Sequence, residues 1–254
     1  MDLGLTGRRA LITGASRGIG RVIADVFADE GCALALCART EGSLKAARVE
    51  LESRGATVFA DTVDVTDSDA VRRFVAASAD ALGGLDVVVS NASPGSLKGD
   101  DSWVESARGD LQAFAVLAEA AQPHLAASAQ GAIVAISSTS ALDVEMPSGP
   151  TSFGAIKAAV LHHASALARA YAPAGIRVNT VSPGPIEIED GAWGNVRRER
   201  PEVYEHVKSK LPLGRYGDPA DVAAAVAFLA SFRASFITGA NLVVDGGMLS
   251  RVQH

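Results

Sequence analysis

The sequence predicts an α/β protein with a single doubly wound, parallel sheet of about seven strands and helices on both faces. Short apolar runs alternate with stretches of helical periodicity along the chain. This alternation is typical of βα units whose strands are parallel. No Pro-, Gly- or Ser-rich linker, internal repeat or low-complexity tract interrupts it. We therefore expect one domain over residues 1–254.

The predicted strands are short runs rich in Val, Ile, Leu and Ala, as expected for strands buried on both faces. They are Ala10–Thr13, Ala33–Cys37, Thr57–Ala60, Val87–Ser90, Ala132–Ser137, Arg177–Val181 and Asn241–Val244.

Helices are predicted between these strands, where apolar residues recur at spacings of three and four. They are Ile19–Glu30, Glu41–Ser53, Ser68–Ala81, Ser102–Ala127, Phe153–Tyr171 and Pro219–Ala230. The segment Pro183–Leu213 has poor periodicity and carries Trp193, Pro201 and a cluster of charges. We interpret its part from about 186 to 213 as a mobile cover over the functional site.

Composition and charge exclude several classes of function. The 254 residues are 48% hydrophobic and carry a net charge of -6, which argues against general nucleic-acid binding. No apolar stretch approaches a membrane span, and Arg8 and Arg9 beside the first strand argue against a signal peptide. Cys32 and Cys37 lie about 16 Å apart on one predicted strand, too far for a disulfide. We expect a cytoplasmic protein with no nucleic-acid or membrane partner and no metal site.

A glycine-rich turn follows the first predicted strand. Gly14, Gly18 and Gly20 have the spacing Gly-x3-Gly-x-Gly and precede a helical pattern. Gly14 allows a tight turn, Gly18 lets the backbone approach a ligand, and Gly20 lets the helix pack closely on the strand. The positive end of that helix would face phosphates. The motif predicts a dinucleotide phosphate site, although three glycines alone also suit an ordinary turn.

The end of the second predicted strand indicates which dinucleotide binds. A carboxylate there would accept a hydrogen bond from the ribose 2′-OH of NAD and would repel a 2′-phosphate. Ala38 occupies this position, Arg39 follows it, and Arg17 lies in the glycine-rich turn. Two guanidinium groups without a carboxylate favour NADP(H) over NAD(H). The alternative is that Arg39 is a solvated cation at the end of the strand.

Two further strand ends carry candidate binding residues. Asp64 and Val65 follow the third predicted strand, where Asp64 either contacts an adenine or caps the next helix. Asn91 and Ala92 follow the fourth, where they form either an ordinary polar turn or a wall of the cofactor cleft. The residues alone leave both alternatives open.

Seven short motifs follow one another in one order along essentially the whole chain. They are Thr13-Gly14-Ala15-Ser16-Arg17-Gly18-Ile19-Gly20, Asn91-Ala92-Ser93, Ile136-Ser137-Ser138, Ala155-x-Lys157-Ala158-Ala159, Ile176-Arg177-Val178-Asn179, Pro183-Gly184 and Val244-Asp245-Gly246-Gly247. With these motifs the chain resembles the short-chain dehydrogenase/reductase family. The late segments Pro212–Arg215 and Ile237–Gly239 resemble its 3-oxoacyl-acyl-carrier-protein-reductase-like members. The resemblance implies a Rossmann-type NAD(P)-binding domain that acts on a small-molecule carbonyl or alcohol.

The resemblance also implies a mechanism and the residues that carry it. Family members move a hydride to or from the nicotinamide, and a Tyr phenol protonates the carbonyl oxygen. A Lys four residues later lowers the pKa of that phenol and holds the nicotinamide ribose, while a Ser polarises the carbonyl and an Asn supports a water chain. Lys157 and Ser138 match this pattern. Phe153 stands at the Tyr position, Asp110 at the Asn position, and Ile188 where a Thr would grip the carboxamide.

By the same resemblance, the cofactor contacts fall on the glycine-rich turn, the strand ends and the segment after the sixth strand. The departures from the family pattern cluster on the nicotinamide half, while the glycines and arginines of the adenosine half are intact. The implied contacts are Gly14, Ser16, Arg17, Gly18, Ile19, Gly20, Arg39, Asp64, Val65, Asn91, Ala92, Lys157, Pro183, Gly184 and Ile186.

The missing phenol leaves three interpretations. The favoured one is an NADP(H)-dependent oxidoreductase that is slow or uses another proton donor, for which Tyr204, Asp143 and Glu145 are candidates. The second is a regulatory or inactive homologue that binds NADP(H) without turnover. The third is a single engineered exchange of Tyr for Phe. Asp110 and Ile188 argue against it, because one exchange would leave those positions in the family pattern.

Two predicted helices carry more apolar surface than one core requires. Ser102–Ala127 and Phe153–Tyr171 are rich in Ala and Leu over more than one face, which favours burial against a second subunit. Family members pair these two helices across a twofold axis. The resemblance therefore implies a homodimer or homotetramer, with His162 and His163 as packing or interface residues.

Overall fold

The structure, a computed structural model, describes residues 2–250. Residue 1 and residues 251–254, at the ends of the predicted domain, lie outside the described residues. The strands are β1 (Arg9–Thr13), β2 (Ala33–Ala38), β3 (Val58–Thr62), β4 (Val87–Ser90), β5 (Ala132–Ile136), β6 (Arg177–Pro183) and β7 (Asn241–Val244). They pair in parallel in the order β3-β2-β1-β4-β5-β6-β7. The order reverses between β1 and β4, where doubly wound sheets open a ligand-binding crevice.

Helices cover both faces of this sheet, which separates two hydrophobic cores. The helices are α1 (Gly18–Asp29), α2 (Glu41–Ser53), α3 (Ser68–Leu82), α4 (Ser102–Ser106), α5 (Ala113–Ala126), α6 (Ser152–Tyr171), α7 (Ala192–Glu199), α8 (Pro201–Ser209) and α9 (Pro219–Ala230). Apolar residues of α1, α2 and α9 pack on one face, and those of α3, α5 and α6 pack on the other. The predicted fold class is confirmed, since the described sheet has seven parallel strands between two helical layers.

The predicted helix Ser102–Ala127 is wrong in one respect, because it is not continuous. Helix α4 passes into a π-helical turn, Ala107–Gln112, before α5 begins. A Cβ at Gly109 would lie 2.8 Å from the Cδ atom of Pro94, so the turn packs against Pro94 at a distance that glycine allows. A π-helical turn holds one residue more than an α-helical turn and occurs frequently at functional sites.

The predicted cover contains two helices, α7 and α8, in a segment where the sequence pattern indicates none. Both helices are short, and Pro201 occupies the first position of α8, where proline is favoured. Aromatic rings hold them to the body: Tyr204 stacks on Tyr216 at 4.2 Å between centroids, and Trp193 lies 5.1 Å from Tyr216. The mobility of this segment stays a prediction.

The two cysteines are free and buried. Cys37 lies on β2, whereas Cys32 precedes that strand. Burial raises the pKa of each thiol to about 12.

Among residues 2–250, no helix is both long and apolar enough to cross a membrane. The cytoplasmic location stays a prediction.

A buried carboxylate fastens the amino-terminal edge of the sheet. Asp86 precedes β4 and is 4% exposed. Its oxygens accept hydrogen bonds from Arg9 Nε at 2.8 Å, from the Arg9 backbone N–H at 2.9 Å and from Ser128 Oγ at 2.6 Å. Burial alone would raise the pKa of Asp86, but the hydrogen bonds from Arg9 and Ser128 outweigh it and lower that pKa to about 2.

Replacing this carboxylate tests the strength of the network. Asp86→Ala leaves Arg9 without its partner and should lower the free energy of unfolding by about 2–4 kcal/mol. Because the pKa of Asp86 is lower in the folded than in the unfolded state, the stabilisation is present above about pH 4 and is lost as the pH falls toward 2. Urea unfolding at about pH 7 and about pH 3 measures both effects. An equal difference between wild type and variant at the two pH values would contradict the assignment.

Candidate active site

The glycine-rich turn between β1 and α1 is shaped by contacts that only glycine allows. Gly14 and Gly18 have φ values of +68° and +59°, in the left-handed region that favours glycine. A Cβ at Gly20 would overlap the side-chain amide of Asn91 and the carbonyl oxygen of Gly14. The turn therefore presents bare backbone of the kind that a dinucleotide phosphate approaches.

Asn91 and Ala92 hold this turn from the end of β4. The Nδ2 atom of Asn91 donates to the carbonyl oxygens of Thr13 at 2.9 Å and of Gly14 at 3.2 Å. The backbone N–H groups of Asn91 and Ala92 donate to Thr13 Oγ1 at 3.0 and 3.1 Å. These bonds fix the segment to the glycine-rich turn where the strand order reverses between β1 and β4. That it forms a wall of a cofactor cleft stays a prediction.

Helix α1 begins without a side-chain cap. Its N-cap residue, Arg17, is extended and exposed, and Ser16 and Ile19 on either side are half-buried. The first N–H groups of a helix have no partner within the helix, so they are available to an anion. The bare turn and the uncapped helix end together fit a dinucleotide pyrophosphate.

The ends of β2 and β3 place a second set of predicted residues at the same edge of the sheet. Arg39 is exposed directly after the buried Ala38. Asp64 accepts hydrogen bonds from the backbone N–H and hydroxyl of Thr66 at 2.9 and 2.8 Å. These bonds, with a contribution from the nearby Arg39, lower the pKa of Asp64. The capping interpretation of Asp64 is wrong, because Asp67 caps α3 instead.

The segment after β6 faces the glycine-rich turn. Pro183 is the last residue of β6, and Gly184 and Ile186 follow it. The side chain of Ile188 lies against the turn, with its Cδ1 atom 3.3 Å from the place that a Cβ of Gly18 would occupy. The fold therefore brings Ile188 to the turn, while the cofactor contacts of Pro183, Gly184 and Ile186 stay predictions. Ile188 offers only an apolar surface there.

Helix α6 carries Phe153 and Lys157 about one turn apart, on one helical face. Lys157 is 4% exposed, its Nζ atom donates to the carbonyl oxygen of Ile136 at 3.0 Å, and it lies 5.8 Å from the centroid of the Phe153 ring. Ser138 follows β5, and its hydroxyl accepts from the backbone N–H of Ser140 at 3.1 Å. The Phe153 ring lies beside Lys157, but it has no hydroxyl group and cannot donate a proton.

Asp110 reaches Lys157 from the π-helical turn. Its Oδ1 atom lies 2.8 Å from Lys157 Nζ, with the two side chains 1% and 5% exposed. The contact is an ion pair without hydrogen-bond geometry, since neither carboxylate oxygen accepts a hydrogen bond from the described residues. Burying a single charge costs several kcal/mol, so each of the two groups makes the burial of the other tolerable. Asp110 stands where the family pattern has an asparagine, and its carboxylate neutralises the charge of Lys157.

The alternative proton donors lie in other surroundings. Tyr204 is 7% exposed and donates its hydroxyl proton to Glu187 Oε2 at 2.7 Å. Burial and this hydrogen bond raise the pKa of Tyr204 to about 12. Asp143 accepts from the backbone N–H of Glu145, which is exposed. Within residues 2–250 none of the three forms a hydrogen bond or ion pair with Lys157.

Some residues of the site carry no local sequence signal. Ser106 and Ser152, 46 positions apart, form a buried pair of hydroxyls at 2.9 Å that ties α4 to the start of α6. Glu187 contacts Tyr204 across 17 positions. Neither pair belongs to a motif, so only the folded chain brings them together. His163 packs edge-on against Phe114 of α5, in line with its interpretation as a packing residue.

Comparisons with known proteins identify the family. The sequence model described as enoyl-(acyl carrier protein) reductase matches residues 14–249. The isoepoxydon dehydrogenase of Penicillium expansum is 37% identical over 252 residues, which cover 98% of this chain and 97% of that protein. The chain belongs to the short-chain dehydrogenase/reductase family. Members of this family are oxidoreductases that use a nicotinamide cofactor, and the fold of this chain is theirs.

Two solved structures of the family resemble this one closely. L-sorbose reductase from Gluconobacter frateurii, in complex with NADPH and L-sorbose, has a TM-score of 0.89 and 30% identity, over 99% of this chain and 100% of that chain. An NADPH-bound short-chain oxidoreductase from Pseudomonas aeruginosa, described as containing an atypical catalytic center, has a TM-score of 0.86 and 30% identity, over 97% and 99% of the two chains.

The Asp110–Lys157 ion pair can be tested by its effect on stability. Asp110→Asn or Lys157→Met leaves one buried charge unpaired, and each should lower the free energy of unfolding by about 3–5 kcal/mol. The double variant should lose at least about 1 kcal/mol less than the sum, because it leaves no unpaired charge. Urea unfolding followed by circular dichroism measures all four proteins. Strictly additive losses would show that the two groups do not interact.

Proposed function

We propose that this protein binds NADP(H) and interconverts a ketone and a secondary alcohol by hydride transfer, at an active site without the family's tyrosine acid. Residues 1–254 form a single NAD(P)-binding domain in this proposal. The observation that carries it is the combination of an intact glycine-rich turn with a buried lysine that faces Asp110 and Phe153.

The nucleotide is held by the residues implied by the family pattern. The backbone of Gly14, Gly18 and the first turn of α1 takes the pyrophosphate, because bare N–H groups bind anions. Asp64 and Val65 contact the adenine, and Asn91 and Ala92 keep the turn in shape. Lys157 and the segment from Pro183 to Ile186 hold the nicotinamide half. When bound, the cofactor supplies or accepts the hydride.

Two arginines select NADP(H) in this proposal. Arg17 and Arg39 are exposed at the same edge of the sheet, and Ala38 leaves no carboxylate to repel a 2′-phosphate. Asp64 lies near Arg39 and offsets part of its charge, but it is already engaged by Thr66. A guanidinium group pairs with a phosphate more strongly than with a ribose hydroxyl.

The choice of cofactor is tested by titration. NADPH should bind at least about tenfold more tightly than NADH, an advantage of about 1.4 kcal/mol or more. Arg39→Asp should weaken NADPH and spare NADH, because a carboxylate repels the phosphate and accepts from the 2′-OH. Nicotinamide fluorescence measures both affinities. Arg48→Asp, an exposed arginine paired with Glu52, is the matched control, and equal affinities of wild type for the two nucleotides would refute the selection.

The proton chemistry of the site depends on Lys157, Asp110 and Ser138. Phe153 provides an apolar wall where the family has an acid, so it neither gives nor takes a proton. The Ser138 hydroxyl polarises the carbonyl oxygen, and the alkoxide left by hydride transfer takes its proton from solvent water in this proposal; in the reverse direction the alcohol gives its proton to water. Asp110 neutralises Lys157 and thereby removes much of the positive charge that would otherwise stabilise a developing oxyanion. We therefore propose turnover slower than is typical of the family.

A second candidate function is binding of NADP(H) without turnover. The ion pair favours it, because Asp110 keeps Lys157 in place without the help of a phenol. A regulatory or inactive homologue needs only this part of the site.

The substrate of the first candidate is a small carbonyl or alcohol, as the names of the sorbose reductase and the isoepoxydon dehydrogenase suggest. The homodimer or homotetramer stays a prediction that light scattering tests.

Restoring the phenol separates the two candidates. Phe153→Tyr returns a proton donor about one helical turn from Lys157, and a positioned acid is worth about 10²-fold or more in rate. Asp110→Asn in the same chain frees the charge of Lys157 and should raise the rate further. The assay is loss of NADPH absorbance with a panel of small ketones. Phe114→Tyr, which adds a hydroxyl beside His163 instead, is the control for a nonspecific effect.

The outcomes exclude different candidates. A wild-type rate typical of the family would show that another residue donates the proton, and Tyr204, Asp143 and Glu145 would be changed next. An inactive wild type, with both Phe153 variants also inactive although NADPH binds, would exclude the oxidoreductase and favour the binding protein. A gain in Phe153→Tyr that the second change abolishes would show that Asp110 assists the phenol.

A further inference from the structure

Glu187 connects both helices of the cover through a single carboxylate. Its Oε2 atom accepts a hydrogen bond from the Tyr204 hydroxyl of α8 at 2.7 Å. Its Oε1 atom forms an ion pair with Arg197 of α7. The side chains of Glu187 and Arg197 are 29% and 50% exposed, so water weakens this ion pair, whereas the partner on α8, Tyr204, is buried. Loss of this carboxylate would release one contact on each helix.

The backbone of Glu187 is fixed to the body of the protein. Its N–H donates to the carbonyl oxygen of Gly217 at 2.8 Å, and the N–H of Gly217 donates to the carbonyl oxygen of Pro185 at 3.0 Å. Ile186 forms a parallel bridge with Gly217. The Glu187 carboxylate therefore contacts α7 and α8 from the body of the protein and not from the cover.

The next residue along the chain connects Glu187 to the proposed nucleotide site. The Ile188 side chain lies against the glycine-rich turn at Gly18 and packs on the core of that face. A ligand that approaches the backbone at Gly18 therefore meets Ile188. Contact with the ligand restrains Ile188, and through one peptide unit it restrains Glu187.

The two helices of the cover pack together around Tyr204 and Tyr216. Tyr204 stacks on Tyr216, whose hydroxyl donates to the Tyr204 carbonyl oxygen at 3.0 Å, and Trp193 packs on the same ring. Tyr204, Val207 and Tyr216 belong to a hydrophobic cluster of their own. A displacement of Tyr204 therefore also moves the side chains that pack with it in the cover.

We propose that Glu187 is a positioning residue that couples nucleotide binding at the glycine-rich turn to closure of the cover. The proposal rests on the nucleotide binding proposed above. A bound nucleotide restrains the 186–188 segment in the arrangement where the carboxylate reaches Tyr204 and Arg197. The coupling is reciprocal, so a protein that lacks the contacts of Glu187 with the cover binds nucleotide more weakly.

Limited proteolysis with trypsin tests the coupling without any turnover. The cover carries cleavage sites at Arg197, Arg198, Lys208 and Lys210. NADP⁺ should slow cleavage there at least about fivefold in wild type, the low end of typical coupling. In Glu187→Gln and in Tyr204→Phe the protection should fall below about twofold, and the dissociation constant for NADPH should rise by a similar factor.

Glu189→Gln is the matched control. Glu189 is an exposed acid two positions away whose carboxylate forms no hydrogen bond or ion pair in residues 2–250, and the change removes no trypsin site. This variant should keep wild-type protection. Circular dichroism establishes that each variant is folded, and Tyr204→Phe carries the test if Glu187→Gln is not.

The outcomes distinguish the inference from the function on which it rests. Bound NADP⁺ that leaves cleavage of the wild-type cover unchanged would overturn the coupling and spare the nucleotide site. Full protection in both Glu187→Gln and Tyr204→Phe would show that another contact closes the cover. Failure of wild type to bind either nucleotide would overturn the proposed function and the coupling together.

Discussion

The side-chain amide of Asn91 fills the space that Gly20 leaves by having no side chain, and the crevice depends on this contact. The same amide donates to two carbonyl oxygens of the glycine-rich turn, while Thr13 accepts from the backbone after β4. Strands β1 and β4 and helix α1 are thereby fixed to one another where the strand order reverses. The crevice is held by buried polar contacts, which tolerate few changes of shape.

Around Lys157, where the proposed function places the nicotinamide, the controlling constraint is the cost of a buried charge. Lys157 is buried, so it needs a counter-charge whatever chemistry the site performs. Asp110 provides that charge, while Phe153 contributes an aromatic face and no partner for a proton. The three departures from the family pattern are therefore not equivalent. Asp110 compensates for a buried lysine, whereas Phe153 and Ile188 remove polar groups.

The sequence predicts most of this fold because the strong signals are local. Apolar runs, helical spacing and the glycine turn each lie within a few neighbouring residues, and they identified the strands, most helices and the crevice. What failed depends on contacts between distant residues. The π-helical turn packs through Gly109 against Pro94 of the loop after β4, a contact that no local pattern indicates. The contacts of Glu187 and the Ser106–Ser152 pair join positions that no local pattern relates.

The π-helical turn at Ala107–Gln112 also makes the proposed active site sensitive to the number of residues in the chain, and not only to the identity of its side chains. Each residue rotates an α-helix by about 100°, and a π-helical turn accommodates one residue more than an α-helical turn. Deleting one residue there would restore a regular helix and turn position 110 away from Lys157, with the sheet untouched. In an evolving lineage, one codon gained or lost in this turn would add or remove the buried carboxylate in a single step.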